Sequence, residues 1–181
     1  MILFVSGRTD IVAFYTPWLI NRLKDGYIDV RNPFNKHLVS RIYLKDVDAY
    51  LFCTKNPLPI LNELEQFSKP ILFHVTLTPY LEPNVPKKTE ILKGIKKLSK
   101  QLGKSHVVVR YDPIFISKRY SIEYHKLAFE KLCKELNGIV ERIIISFLDE
   151  YKNVIKNKDI LGYRHITNEE MKEIGLFFAK A

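Results

Sequence analysis

Cysteine is nearly missing from these 181 residues, which hold only Cys53 and Cys133. Two cysteines so far apart exclude a disulfide-stapled fold and a cysteine-built metal cluster, and they make a reducing, cytoplasmic setting the expectation. Glycine is scarce as well, at seven. Nowhere does it form the G-x-G-x-x-G turn of a dinucleotide fold or a Walker loop. No apolar run approaches the ~20 residues a membrane helix needs. The apolar start MILFVSG gives way at once to Arg8 and Asp10, which suits neither an anchor nor a signal peptide. His37, His106, His125 and His165 lack metal-ligand spacing, so no metal site is expected. Acidic residues are outnumbered, 20 against 29 Lys and Arg, for a net charge of +9.

What is present is the composition of an ordinary globular protein, 46% hydrophobic and 27% charged, at a length that suits one domain. The basic excess is concentrated, with seven lysines between Lys87 and Lys104. Lys93, Lys96, Lys97, Lys100 and Lys104 follow helical spacing on one face, and Ile91, Ile95, Leu98 and Leu102 on the other. That pattern describes a helix lying on a core with a wet outer side. A nucleic-acid partner is the weaker reading, because no RNA-binding aromatic motif, helix-turn-helix signal or zinc-finger spacing accompanies it.

Apolar runs alternate with helical patterns along the chain. Strands are expected over 1–6, 49–54, 70–78, 106–111 and 140–147. The first helix has Thr16 as its cap, Pro17 at its first position and Gly26 just past its end. Further helices are expected over 57–67, from the lysine segment to Gly103, over 121–136 closed by Gly138, near Tyr151 and from Thr167. Residues 27–44 read as a small hairpin excursion. Strands separated by helices imply parallel pairing with right-handed crossovers. With no glycine-rich turn after the first strand, the expectation is an α/β fold, a partial TIM-like (β/α) barrel of about five parallel strands with outer helices.

Each expected strand runs into polar residues: Arg8-Thr9-Asp10, Thr54-Lys55-Asn56, Thr76 and Thr78, Arg110 and Asp112, and Ser146 with Asp149. Side-chain alternation groups His74, Thr76 and Thr78 on one face of the third strand. It pairs Ser6 with Arg8, Thr54 with Asn56, and Arg110 with Asp112. Five strands thus aim polar groups at one region, which predicts a binding site at the barrel mouth. Arginines held by carboxylates suit a small anionic ligand, a carboxylate or a phosphate. The competing reading is that Arg8, Asp10, Arg110 and Asp112 only neutralise one another. His74 reads as an interior residue more than a base. Cys53 and Cys133 read as packing residues. Asn56-Pro57 and Asp112-Pro113 end their strands by pre-proline geometry.

The segments SGRTDIVAFYTPWLINRLKDGYIDVRNPFN, VSRIYL, LFCTKNP, VTLTPY with a following EPNVP, VRYDPI, YSIEYH and ISFLDEYK resemble, in order and spacing, the bacterial family known as domain of unknown function 1848. The likeness spans essentially the whole chain. That family is thought to be related to radical S-adenosylmethionine enzymes. The resemblance therefore implies a (β/α) barrel whose mouth faces S-adenosylmethionine and a [4Fe–4S] cluster in longer members. Matching motif positions are Arg8, Thr9, Asp10, Arg31, Asn32, Thr54, Lys55, Asn56, Arg110, Asp112 and Ser146. The family's C-terminal cysteine cluster has no counterpart after Cys133, so neither cofactor is expected on this chain alone. Val12 and Cys53 stand where proline and tryptophan are expected in relatives. On this reading residues 1–181 are one incomplete barrel domain, the N-terminal portion of such an enzyme. The alternative is an anion- or nucleic-acid-binding module without its cluster. A missing strand would leave an open sheet edge able to self-associate, and would leave Phe177 and Phe178 exposed on the last helix.

Overall fold

A computed structural model describes residues 1–181. Five strands form one parallel sheet: β1 (Ile2–Phe4), β4 (Ala49–Thr54), β5 (Ile71–Thr76), β6 (Val107–Ile114) and β8 (Arg142–Phe147), in the spatial order β1-β4-β5-β6-β8. Spatial order follows chain order, so each strand is added at the same edge. Right-handed crossovers then place the helices that connect these strands on one face, as in a barrel; a doubly wound sheet needs a reversal of direction. The result is an open five-stranded portion of a (β/α) barrel. The expected hairpin is β2 (Tyr27–Arg31) paired antiparallel with β3 (Val39–Tyr43), and a short ribbon joins β7 (Ile116–Ser117) to β9 (Tyr163–Arg164).

The covered face holds the core. Phe52, Phe73, Val75, Val107 and Val109 are wholly buried, and Phe52 stacks on Phe73 with ring centroids 5.0 Å apart. Burying such side chains stabilises by about 1.5–3 kcal/mol each. Against them lies α2 (Lys88–Leu102), with Ile91, Ile95 and Leu98 inward and Lys93, Lys96, Lys97 and Lys100 in water, as the spacing predicts. Gly94 faces the turn at Pro57, where a Cβ would lie 2.7 Å from the proline Cγ. Only glycine allows that approach. In α3 (Ile122–Leu136), Ser121 is the N-cap, accepting from the Tyr124 N–H. In α6 (Asn168–Phe178), Thr167 and Glu170 form a capping box.

Several expectations are corrected. The first helix, α1 (Ile11–Asp25), begins five residues before Thr16 and is capped by Asp10, whose Oδ1 accepts from the Ala13 N–H at 2.9 Å. Thr16 and Pro17 instead follow a kink at Tyr15, where Thr16 Oγ1 donates to the Val12 carbonyl. The expected helix over 57–67 is two single turns of 3₁₀ helix, Leu58–Ile60 and Leu64–Gln66. Its prolines, at 57 and 59, remove donors that a longer helix needs. Strand β6 does not stop at Asp112. It continues to Ile114 through a cis Asp112–Pro113 bond and a register shift. Phe178 is buried and stacks on Phe129 at 3.7 Å, so the last helix already has its partner in α3. The region near Tyr151 forms two short helices, α4 (Lys152–Lys156) and α5 (Lys158–Leu161). No helix is long and apolar enough to cross a membrane.

Candidate functional site

With α1, α2 and α3 on one side and α6 packed on α3, the other face of the sheet stays open, and register decides what it carries. Cys53 sits beside His74, and Thr76 beside Arg110. Parity then puts Cys53, His74, Thr76, Arg110, Asp112 and Ser146 on the open face. His74, Thr76, Arg110 and Asp112 are half-buried there, and Ser146 is exposed.

Arg110 and Asp112 form the strongest polar pair on this face. Arg110 Nε donates to Asp112 Oδ2 at 2.7 Å, and Nη2 approaches the same oxygen at 2.5 Å. Both contacts use one carboxylate oxygen, so other guanidinium N–H groups remain for a ligand. Burial disfavours the charge on Arg110, yet the hydrogen bond and charge of Asp112 outweigh it and hold its pKa up. Burial, then the charges of Arg110 and Arg142, lower the pKa of His74. Burial pushes the Cys53 thiol up, against a partial opposing pull from Arg110. A protonated thiol there fits the packing role.

Thr54 belongs elsewhere. The expectation that Thr54 looks out from the open face is not met, since Thr54 lies beside Val75 on the covered side and is buried, where its Oγ1 accepts from the Asn56 N–H at 2.9 Å. Tyr50 and Phe52 share its parity, and two aromatics were the signal for the covered face. Its hydroxyl donates to Asp10 Oδ2 at 2.9 Å, and the Lys55 N–H donates to the same oxygen at 2.8 Å. Asp10 therefore ties the end of β4 to the start of α1. Asn56 Oδ1 accepts from the Leu58 N–H, which is turn chemistry. Over these residues lies a cavity of about 410 Å³, lined by Asp10, Cys53, Thr54, Lys55, Asn56 and Thr76 on the strand side and by Pro83 to Val85 opposite.

Glu82 was not singled out by the sequence reading. It takes an ion pair from Lys55, a hydrogen bond from Thr78 Oγ1 at 2.8 Å, and a more distant contact from Lys88 at 3.9 Å. Burial raises its pKa, but the bonds from Lys55 and Thr78 outweigh that and leave it below the usual carboxylate range. Thr78 is buried and serves this loop. Only the EPNVP segment marked the spot, and nothing in it signals a partner for Lys55.

The proposed mutual neutralisation of Arg8, Asp10, Arg110 and Asp112 does not form. Arg110 pairs with Asp112, Asp10 serves backbone and hydroxyl, and Arg8 donates through Nη1 to the Arg31 carbonyl. Thr9 stays exposed beside it. Arg31 and Asn32 sit on the hairpin, apart from Arg110. Asn32 Oδ1 accepts from the Phe34 and Asn35 N–H groups and shapes the hairpin tip.

Behind the open face, His125 is fully buried. Its Nε2 lies 3.0 Å from the Phe115 carbonyl, and its Nδ1 lies 2.8 Å from Tyr111 Oη. The carbonyl requires Nε2–H as donor, which makes Nδ1 the acceptor for the tyrosine hydroxyl. Tyr80 Oη donates to the Pro113 carbonyl and accepts from the Phe115 N–H. The segment that carries Arg110 and Asp112 is thus fastened from behind.

Cys53 and Cys133 lie on different elements, a strand and α3, and no group of three His, Cys, Asp or Glu side chains is placed to hold a metal ion. The family model described as Domain of unknown function (DUF1848) matches residues 2–181. The chain therefore belongs to that family. No curated protein and no solved structure matches it.

Proposed function

We propose, from the chain's place in that family and the chemistry of the open face, that the carboxyl ends of β4, β5 and β6 bind a small anionic ligand. The observation that carries this is Arg110, oriented by Asp112 and left with unused donors on a face where His74 is its neutral neighbour. A guanidinium fixed by one carboxylate oxygen presents a planar fork to a carboxylate or phosphate. Arg142 adds a second positive charge along the same face.

On this reading residues 1–181 form one incomplete barrel domain of an enzyme of the radical S-adenosylmethionine kind. A [4Fe–4S] cluster is held by cysteine thiolates, and two separated cysteines do not fit it. These residues would not supply the ligands of such a cluster. This chain contributes binding and charge, with Arg110 and Asp112 placing the ligand and Thr76 and Ser146 offering hydroxyls beside it. A nucleic-acid role for the lysine face of α2 has less support, because Lys96 on it and Lys104 just past its end are already met by Glu135 and Glu141.

The test is calorimetric titration with inorganic phosphate and, separately, with S-adenosylmethionine. Saturable binding of either is expected, weakened at least ~10-fold in Arg110→Gln. Equal binding by wild type and Arg110→Gln would sink the proposal.

A further inference from the structure

A second site lies beside β1, away from Arg110. Strand β1 pairs only with β4, and β2 pairs only with β3, so each has one edge without a hydrogen-bonded partner. Those two edges form opposite walls of a cleft of about 490 Å³, with Ile11 and Trp18 of α1 also lining it. Backbone direction alternates along a strand. The Val5 N–H donates inward to Leu51, which turns the polar groups of Ile2 and Phe4 toward the cleft. The Asn32 N–H donates to Leu38, which turns those of Asp29 and Arg31 toward it from the other side. The Arg31 carbonyl, reached by Arg8 across the upper end, is one of these.

Two further observations say what fits there. The side chains of residues 1–5 carry no charge, and the segment has no proline or bulge to protect the edge; Ile2 and Phe4 are 71% and 49% exposed. Natural sheets blunt such edges or cover them. Arg8 and Arg31 line the cleft and form no ion pair, while Asp29, the one carboxylate lining it, is held by Arg41 at 2.7 and 2.8 Å. The cleft therefore combines two backbone ladders, apolar lining and unneutralised positive charge.

We propose that this cleft takes up an extended acidic polypeptide segment as an added strand between β1 and β2. Main-chain hydrogen bonds to both walls supply affinity, alternate apolar side chains face Ile11 and Trp18, and carboxylates meet Arg8 and Arg31. This mode does not depend on any ligand at Arg110.

Trp18 is the only tryptophan, so its fluorescence reports on the cleft directly. The probe is an acetylated, amidated pentapeptide alternating valine and glutamate, added to the full chain. Expected are a saturable change in Trp18 emission and slowed amide exchange at residues 2–5 and 27–31. Binding should weaken at least ~10-fold when lysine replaces glutamate in the peptide, and also in the Arg8→Gln, Arg31→Gln double variant. A peptide N-methylated at every amide should fail to protect either edge. The proposal is overturned if the methylated peptide binds as well, if the lysine peptide binds equally, or if both edges are already protected without peptide in a concentration-dependent dimer.

Discussion

The two faces of the central sheet are built from neighbouring residues and do opposite things. Phe73 and Val75 are sealed under the helices, while His74 and Thr76, one step along the same strand, look out from the open face. The covered face is mostly apolar and packed, with Thr54 the buried polar exception at the end of β4. The open face mixes a guanidinium, a carboxylate, an imidazole, a thiol and hydroxyls. Stability is concentrated on one side and chemistry on the other, with a two-residue period as the only separation.

Substitution should break that symmetry most sharply at Phe73. Phe73→Ala is expected to cost about 3–5 kcal/mol in denaturant unfolding, whereas His74→Ala should cost under about 1 kcal/mol. Comparable losses at the two positions would mean that the open face also carries packing. Next in size is His125, buried behind the end of β6. Its replacement by phenylalanine strands the Tyr111 hydroxyl and the Phe115 carbonyl, at about 2–3 kcal/mol.

His125 also sharpens the comparison through pH. Burial holds its pKa below the ordinary value, with only partial opposition from the Phe115 carbonyl. The unfolded chain therefore binds protons near pH 6.5 while the folded one does not. Stability is complete above that pH and falls as the pH descends from there through the folded value. His125→Phe should flatten this slope more than His74→Ala does, as read from thermal unfolding between pH 7.5 and 5.

A more local effect belongs to Asp10, at the seam where α1 meets β4. Asp10→Ala removes a helix cap and the acceptor for Thr54 and the Lys55 N–H, for about 1–2 kcal/mol. Loss of hydrogen-exchange protection confined to 10–15 and 54–56 is the expected signature.

Much of the fold was legible because its signals are local and periodic. The lysine stripe fixed the orientation of α2, and Ser121 and Thr167 marked the starts of α3 and α6. Strand parity correctly grouped His74 with Thr76 and Arg110 with Asp112. It failed at Thr54, where polarity was given more weight than the aromatics at Tyr50 and Phe52. The turns at Leu58–Ile60 and Leu64–Gln66 deceived because Leu58, Leu61 and Leu64 have helical spacing whether or not the prolines permit a helix. The contacts of Asp10, Glu82 and His125 were beyond sequence reasoning for another reason. Their partners lie far along the chain, at Thr54, at Lys55 and at Tyr111 and Phe115, and no spacing rule connects them.

The order of strands in the sheet has a consequence for how the chain is made. Each strand docks beside the sheet strand that precedes it in the chain, so a polypeptide leaving the ribosome finds its template already present at every step. No strand has to be threaded between two others, and no early strand waits for a late one. Assembly reduces to repeated addition at one growing margin, each closure spanning only the segment between consecutive strands of the sheet. The last margin formed, at β8, is also the place where further polypeptide of the same kind would dock without disturbing what is already built.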